Sequence, residues 1–340
     1  MRITCIDFFR TVATFAIITI HTSPFREANK GIFHSLCIAM DQVARFAVPY
    51  FFVVAGYFFG RKVLSGISAI ILFKQYAKRF LPLHFVWSVI YIVLPTDIKS
   101  EVLQYGFWDA AYQKLLILIA DPEKLLLQGG RGHLWFLLAL LSAIGIISVF
   151  LQTGKQKWLL PVASLLYLFG LLTSSYSVTG LGFEVPFGTR NGPFFSTLLV
   201  TIGWIISYMK PRVGPVLSIL TMIIGCLLYA CEVLLLHKIY DIPIVGQQFM
   251  FGSIFCATGL TMFAISSPNL FAKSWATKWA PYTLGIYLIH QLISDLLTPL
   301  SMVVPFPLWD ILYPFVVYAL SLMSVLIISK HKLSKFLVHY

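Results

Sequence analysis

The sequence has 340 residues, of which 59% are hydrophobic and 11% are charged, and its formal net charge is +12. A soluble domain normally carries about 25% charged residues, so this composition indicates a chain embedded in a lipid bilayer. The basic balance does not indicate a nucleic-acid partner, because cytoplasmic loops of membrane proteins are themselves rich in lysine and arginine. The cysteines form no CxxC pair and no Cys/His cluster, so we expect neither a structural disulfide nor a structural metal site.

The first apolar segment, residues 6–24, carries an arginine near one end, Arg10, and a histidine near the other, His21. They are eleven residues apart, which places them on one helix face, roughly 16 Å apart along the axis. Ionisable side chains in an apolar span usually face a bundle interior, a cavity or a ligand. Alternatively, Arg10 is an interfacial anchor and His21 a capping residue. No small-residue cleavage site follows Ile20, which favours a retained transmembrane helix over a signal peptide.

Further apolar segments of similar length follow along the chain and predict about ten transmembrane helices in all. Lysine and arginine concentrate on alternate loops, and this bias places both termini in the cytoplasm. We therefore expect an all-α, polytopic integral membrane protein with a single membrane-embedded domain, residues 1–340, and no appended soluble domain. The predicted spans are residues 6–24, 38–59, 80–94, 133–151, 158–173, 193–209, 216–236, 248–265, 281–297 and 309–329.

Two polar groups lie in or before the next spans. Asp41 and Arg45 are spaced i, i+4 inside the second span, so they can pair on one helix face. Such a pair either belongs to a functional site or only compensates the two charges so that the helix can insert into the membrane. Lys74, Lys78 and Arg79 precede the third span, where they are either cytoplasmic anchors or a binding site for the phosphates of a cytosolic donor.

Three more polar motifs occur near or within later spans. Residues 129–136 (GGRGHLWF) and 187–195 (FGTRNGPFF) fall on the predicted outer side, although an aromatic belt and a turn use the same residue types. Residues 284–291 (LGIYLIHQ) place His290 deep in an apolar span, where a lone histidine is more often hydrogen-bonded structure than chemistry.

In this order the motifs resemble those of membrane-bound acyltransferase family 3, which includes O-acetyltransferases of bacterial surface polysaccharides. The resemblance extends from residue 6 to residue 291. Two departures are Ala55, where serine is common, and lysine at positions 74 and 78, where arginine is frequent. The resemblance rests on six motifs: Arg10-x10-His21, FFVVAGYFF at 51–59, KRFLP at 78–82, HLWFL at 133–137, RNGPFF at 190–195 and IYLIH at 286–290.

The resemblance implies a multi-pass enzyme of the bacterial inner (plasma) membrane that moves an acetyl group from cytosolic acetyl-CoA to a glycan or lipid-linked glycan hydroxyl. It implies no permanently bound cofactor, and membrane lipid surrounds the chain. His21 and Arg10 are then the catalytic residues, with His21 as general base or as the site of a covalent acyl-histidine. Lys74, Lys78 and Arg79 are the expected donor-binding residues.

The acceptor site is expected on the predicted outer side, next to the end of the first span that bears His21. Aromatic and amide groups suit a neutral sugar, because ring faces stack on it and polar edges bond its hydroxyls. The predicted acceptor-binding residues are His133, Trp135, Arg190 and Asn191, with Arg131 as a further candidate. The rival hypothesis is a transporter or flippase of lipid-linked glycans, which intramembrane charges suit equally; an acyl group longer than acetyl also remains open.

Overall fold

The computed structural model of the protein describes residues 2–28, 30–94, 106–209, 213–331 and 335–338. Every regular element within these residues is a helix, so the predicted all-α fold is confirmed. The α-helices are α1 (Thr4–Thr22), α2 (Gly31–Ala44), α3 (Ala47–Leu64), α4 (Ala69–Val93), α5 (Phe107–Ala120), α6 (Pro122–Gln128), α7 (Trp135–Gln152), α8 (Leu159–Leu172), α9 (Pro193–Met209), α10 (Pro215–Tyr240), α11 (Gly252–Ser266), α12 (Trp275–Trp279), α13 (Thr283–Leu297) and α14 (Leu308–Lys330).

Long apolar helices confirm the polytopic membrane character. Within the described residues, six helical segments are long and apolar enough to cross a membrane, and two shorter apolar helices, Gln156–Leu172 and Gly252–Ser266, accompany them. The other predicted spans, 80–94 and 281–297, correspond to the second half of α4 and to α13. The count of ten and the cytoplasmic termini stay predictions. The six segments are Thr4–Thr22, Gly31–Leu64, Gly132–Gln152, Thr189–Met209, Pro215–Tyr240 and Leu308–Lys330.

The predicted second span, 38–59, is wrong in its bounds. The chain there forms two helices, because α2 ends at Ala44 and α3 begins at Ala47. Pro49 lies in the first turn of α3, and its missing N–H cannot continue the hydrogen-bond ladder from the preceding helix. The basic residues ahead of the predicted third span also belong to that span's own helix, since α4 runs without a break from Ala69 to Val93.

The described residues form two compact units, and the first comprises those of Met1–Ile6, Phe46–His84 and Trp135–Leu270. Within it, α9 packs against α3, α7 and α8, and α11 packs against α10 and α3. The crossing of α3 and α9 is very close: a Cβ atom on Gly203 would lie 1.9 Å from the Val53 carbonyl oxygen, and one on Gly56 would lie 2.0 Å from that of Val200. Small residues let membrane helices approach in this way.

Gly203→Ala is expected to lower the free energy of unfolding by about 1–3 kcal/mol, because the added methyl group meets rigid backbone and forces the two helices apart. Reversible unfolding in mixed detergent micelles measures the change. Gly214→Ala is the matched control, since a Cβ atom there meets nothing within 4 Å. Equal stability of the two variants would contradict this account of the crossing.

The second unit comprises the described residues of Asp7–Arg45, Phe85–Leu134 and Phe271–Tyr340. Its α13 packs against α14, and polar contacts hold α1 beside the α12–α13 segment. Thr11 Oγ1 donates a hydrogen bond to the Ala276 carbonyl oxygen at 2.8 Å. The segment that follows α1 is also anchored, since the Phe25 backbone N–H donates to Asp310 Oδ1 at 2.6 Å.

Candidate active site

Three histidine rings of the second unit lie against one another, and we call His21, His133 and His290 the histidine cluster. His21 stands near the end of α1, His133 in the 3₁₀-helix Gly132–Leu134, and His290 in the middle of α13. The ring centroid of His290 is 5.2 Å from that of His21 and 5.1 Å from that of His133. The centroids of His21 and His133 are 6.3 Å apart.

Burial differs sharply within the histidine cluster. His21 is exposed, whereas His133 and His290 keep 3% and 0% of their surface accessible. One ring is therefore open to a reactant while the two beside it are enclosed by protein. His21 and His133 were predicted from the sequence as site residues, whereas His290 was predicted to be a hydrogen-bonded structural residue.

The two buried rings each use one nitrogen for a backbone contact. His290 Nδ1 lies 2.6 Å from the Tyr287 carbonyl oxygen, and His133 Nε2 lies 3.4 Å from that of Leu288. Since a carbonyl oxygen only accepts, these nitrogens carry the protons. The remaining nitrogens, Nε2 of His290 and Nδ1 of His133, are buried and have no hydrogen-bond partner among the described residues. Buried polar atoms rarely stay unpaired, and exceptions often mark functional positions.

Two tyrosines hold the backbone of the histidine cluster in place. The Tyr287 hydroxyl donates to the carbonyl oxygen of His133. The Tyr91 hydroxyl donates to the Leu288 carbonyl oxygen at 2.7 Å and accepts from the Leu292 backbone N–H at 3.2 Å. Neither tyrosine was predicted as a site residue, although Tyr287 lies in the IYLIH motif. Within the described residues, no group of His, Cys, Asp and Glu side chains has the arrangement of a metal site.

An ion pair links the segment that bears His133 to the helix that bears His290. Arg131 Nη2 donates to Asp295 Oδ1 at 2.7 Å and to Gln291 Oε1 at 3.1 Å. The Asp295 side chain keeps only 10% of its surface exposed. Arg131 was predicted as a further candidate for the acceptor site. In the structure its guanidinium group forms an ion pair with Asp295. Gln291 and Asp295 were missed, although their i, i+4 spacing in an apolar span is a detectable signal.

The predicted shared face of Arg10 and His21 is confirmed, because both side chains contact α13. Arg10 Nη2 donates to Thr283 Oγ1 at 3.2 Å, at the start of α13, and His21 meets His290 about two turns later. Helices α1 and α13 therefore run in the same sense. Arg10 Nη1 also lies 3.7 Å from Asp7 Oδ1, a carboxylate that was not among the predicted site residues.

The predicted Asp41–Arg45 pair is confirmed as well. Arg45 Nε donates to Asp41 Oδ2 at 3.1 Å, and Arg45 Nη2 donates to Asp41 Oδ1. Both side chains are nearly buried, at 7% and 9% exposure. Because its two charges compensate each other, the pair meets the requirement for inserting this helix without any ligand.

The predicted acceptor set is divided between the two units, with His133 in the second and the other three residues in the first. Those three lie together: the guanidinium carbon of Arg190 is 5.1 Å from the Trp135 ring centroid, and Arg190 Nε donates to Asn191 Oδ1 at 3.4 Å. Arg190 Nη1 also donates to Gln248 Oε1 at 2.9 Å. Gln248 therefore belongs to the same polar group as Trp135, Arg190 and Asn191. Because it is 58 residues from Arg190 in the sequence, residue spacing within one helix could not predict this contact.

The predicted donor-binding residues lie on α4 within the first unit. Lys74 and Lys78 are exposed and one turn apart, and Arg79 is half-buried. A cavity of about 750 Å³ also lies in this unit, with Arg61 and Ser207 in its lining. Its volume falls in the range of small-molecule sites, but the lining does not include the three predicted residues.

Comparison with known proteins identifies relatives over most of the chain. The chain is similar to two proteins named amino-acid racemase from Enterococcus faecalis, at 27% identity over 274 residues (76% of this chain, 35% of that protein) and 24% over 325 residues (88% and 42%). It is 25% identical over 313 residues to a serine/alanine racemase from Enterococcus gallinarum (86% and 42%). The chain thus spans less than half the length of these curated relatives. No solved structure matches it.

The family of the chain follows from a match that covers nearly all of it. A family model described as an acyltransferase domain matches residues 3–329, a range that includes the whole histidine cluster, Arg10 and the basic residues of α4. It also includes every motif on which the resemblance rests. The resemblance seen in the sequence is confirmed, and the chain belongs to acyltransferase family 3 of membrane proteins.

Proposed function

We propose that the protein is an O-acyltransferase that moves an acetyl group from cytosolic acetyl-CoA to a hydroxyl of a surface polysaccharide or its lipid-linked precursor. Family membership supports acyl transfer as the reaction class. The observation that carries the proposal is the exposed imidazole of His21, which lies beside two buried histidine rings at one end of α1. An imidazole is well suited to accept a proton from a hydroxyl near neutral pH.

The proposed reaction needs one base and no change in oxidation state. His21 accepts the proton of the acceptor hydroxyl while the hydroxyl oxygen bonds to the thioester carbonyl carbon. The carbon–sulfur bond then breaks, and the CoA thiolate leaves with the proton that His21 returns. In the covalent alternative, the imidazole nitrogen first bonds to the thioester carbon, and CoA leaves as the thiol with the ring proton. The acceptor hydroxyl oxygen then bonds to the acetyl carbon, the carbon–nitrogen bond breaks, and the imidazole takes up the hydroxyl proton. The two routes differ in whether acetyl-histidine accumulates when the acceptor is withheld.

Arg10 is proposed to bind the acyl donor, acetyl-CoA. It lies on the His21 face of α1, and a guanidinium group binds phosphate oxygens well. Its contacts with Thr283 and Asp7 orient the side chain without enclosing it, since a quarter of its surface stays exposed. With the N-terminus in the cytoplasm, Arg10 faces the cytosolic donor and His21 faces the acceptor side.

The test of the function uses membranes that contain the full chain, radiolabelled acetyl-CoA and an extract of lipid-linked glycans. We expect label in the glycan fraction and a mass increase of one acetyl group per modified sugar. Free serine and alanine are included as acceptors because one relative is named serine/alanine racemase. A transporter or flippase would move glycans without consuming acetyl-CoA, and that outcome would overturn the proposal.

Replacing Lys74 and Lys78 together by alanine is expected to raise the KM for acetyl-CoA about tenfold with little change in kcat, because two exposed charges for phosphate oxygens are lost. Steady-state kinetics over a range of acetyl-CoA concentrations measures the effect. Lys155→Ala with Lys157→Ala is the control, since both are exposed lysines on a loop that is also predicted inside. The same rise in both double variants would reject a specific donor site on α4.

Sidedness is tested by cysteine labelling in intact cells, with a cysteine-free background and a membrane-impermeant maleimide. Cysteines at Lys124 and Gly188 are expected to label, whereas cysteines at Arg61 and Lys155 are expected not to. All four positions are exposed, so failure to label reports the side of the membrane and not burial. The reverse pattern would place the His21 end of α1 in the cytoplasm and contradict an external acceptor.

A further inference from the structure

We propose that the cavity between α3, α9, α10 and α11 binds the headgroup of an anionic phospholipid, and that Arg61 contacts its phosphodiester. The inference does not depend on the proposed reaction, and it concerns residues of the first unit alone. Its starting point is the volume of the cavity, about 750 Å³, which is typical of small-molecule sites. The residues that line the cavity were not among the predicted site residues.

The first step is the position of the cavity along the helices. Its walls come from the last two turns of α3, α9 and α11 and from the start of α10. The charge bias of the sequence places the loops at these four helix ends in the cytoplasm. The structure brings the same four ends together around one cavity, as that topology requires. The cavity therefore lies at the predicted cytoplasmic boundary of the bilayer, where the phosphates of the inner leaflet are found.

The second step is the charge of the cavity. Its lining carries one positive charge, that of Arg61, and no acidic side chain. The guanidinium carbon of Arg61 lies 5.9 Å from the ring centroid of Tyr57, which is one turn earlier in α3 and also lines the cavity. Arg61 therefore folds back towards the cavity. Within the described residues no carboxylate forms an ion pair with it.

The charge count favours one ligand chemistry. A guanidinium group binds the oxygens of a phosphate ester well. The single charge of Arg61 balances the single negative charge of a phosphodiester, as in the headgroup of phosphatidylglycerol. The phosphates of CoA carry several negative charges, and the lining offers no second cation to balance them.

The third step is the apolar surface around the charge. Met262 and Ile265 contribute apolar walls, and Leu64 lines the cavity while it stays 46% exposed. The first turn of α10 exposes Val216 and Leu217 by 71% and 57%. In a bilayer such side chains contact acyl chains. A phospholipid covers this surface with its chains while its phosphate contacts the guanidinium group, whereas a soluble phosphate compound leaves the surface uncovered.

The test is native mass spectrometry of the purified full chain in detergent, titrated with phosphatidylglycerol or with zwitterionic phosphatidylcholine. We expect wild type to bind one phosphatidylglycerol with a Kd about tenfold below that for phosphatidylcholine. Arg61→Gln is expected to raise the Kd for phosphatidylglycerol about tenfold, because a hydrogen bond between charged groups is lost. Equal affinity of wild type for the two lipids would overturn the proposal without any variant.

Lys62→Gln is the matched control for the charge. Lys62 is the next residue of α3 and is also exposed, but its Nζ lies 5.9 Å from the Tyr76 ring centroid and the residue does not line the cavity. We expect its Kd to change less than about twofold, as for an exposed charge outside the site. Equal losses in Arg61→Gln and Lys62→Gln would show general attraction to a basic helix end and reject a specific site.

Gly214→Trp tests the space and leaves Arg61 unchanged. Gly214 lines the cavity and a Cβ atom there meets nothing within 4 Å, so an indole can occupy the cavity without displacing the backbone. We expect binding of phosphatidylglycerol to be lost. Gly180→Trp is the control, since a Cβ atom there is equally unobstructed and the residue lies outside the lining. Normal binding by Gly214→Trp would overturn the assignment of the cavity, and displacement of phosphatidylglycerol by CoA would assign it to the acyl donor instead.

Discussion

His21→Ala is expected to lower the rate of acetyl transfer by about 10²–10⁴-fold, the range that removal of a general base typically causes. The variant removes an exposed imidazole, so it leaves the buried rings of His133 and His290 and their backbone contacts in place. We therefore expect normal insertion and a normal amount of protein in the membrane. Transfer of label from acetyl-CoA to the glycan fraction measures the effect.

His34→Ala is the matched control for this experiment. His34 is also an exposed histidine of the second unit, and its Nδ1 lies 3.0 Å from the Ala28 carbonyl oxygen. We expect its activity to match wild type. If His21→Ala retained half of the glycan acetylation, His21 could not be the base, and the proposed mechanism would fail whichever glycan is the acceptor.

Regular helix geometry explains which parts of the site were predictable. Arg10 and His21 lie on one unbroken helix, so their shared face follows from 3.6 residues per turn, and the Asp41–Arg45 pair follows from the same rule. Their partners do not follow from it. Arg10 bonds Thr283, which is 273 residues away in the sequence, and periodicity within one helix carries no information about which other helix it meets.

His290 shows most clearly where sequence reasoning stops. A lone histidine in an apolar span suggests a local hydrogen bond, and His290 makes such a bond to Tyr287. The same residue also lies beside His21 and His133, and this second fact depends on how α1, α13 and the Gly132–Leu134 turn pack. A rule based on residue type describes the ring as a whole, whereas its two nitrogens differ. Nδ1 contacts the Tyr287 carbonyl oxygen, and Nε2 has no hydrogen-bond partner among the described residues.

The break between α2 and α3 was missed for a different reason. Apolar length was the criterion for a span, and the stretch that contains Asp41, Arg45 and Pro49 is apolar enough to satisfy it. Hydropathy does not register whether a backbone N–H is missing, so one proline can divide a stretch that remains suitable for the membrane. The Asp41–Arg45 pair then closes the last turn of α2.

Arg131→Met is expected to lower the free energy of unfolding by about 3 kcal/mol, at the low end for a broken buried ion pair. The change leaves the carboxylate of Asp295, whose side chain is 10% exposed, without its guanidinium partner. It also removes the two hydrogen bonds that Arg131 donates to Gln291 Oε1. Arg131 itself keeps 29% of its side-chain surface exposed, and this partial solvation places the expected loss near the lower limit.

The matched control for that loss is Lys124→Met, which breaks a second ion pair of similar length. Lys124 Nζ lies 2.7 Å from Asp121 Oδ2, but the two side chains are 61% and 37% exposed, and exposed pairs contribute little because water solvates both charges. Unfolding in mixed micelles should therefore distinguish the variants although both lose an ion pair. Adding Asp295→Asn to Arg131→Met should restore part of the stability, because the stranded charge is removed. Equal losses in the two single variants, or no recovery in the double variant, would show that the Arg131–Asp295 pair does not stabilise the arrangement that brings His133 to His290.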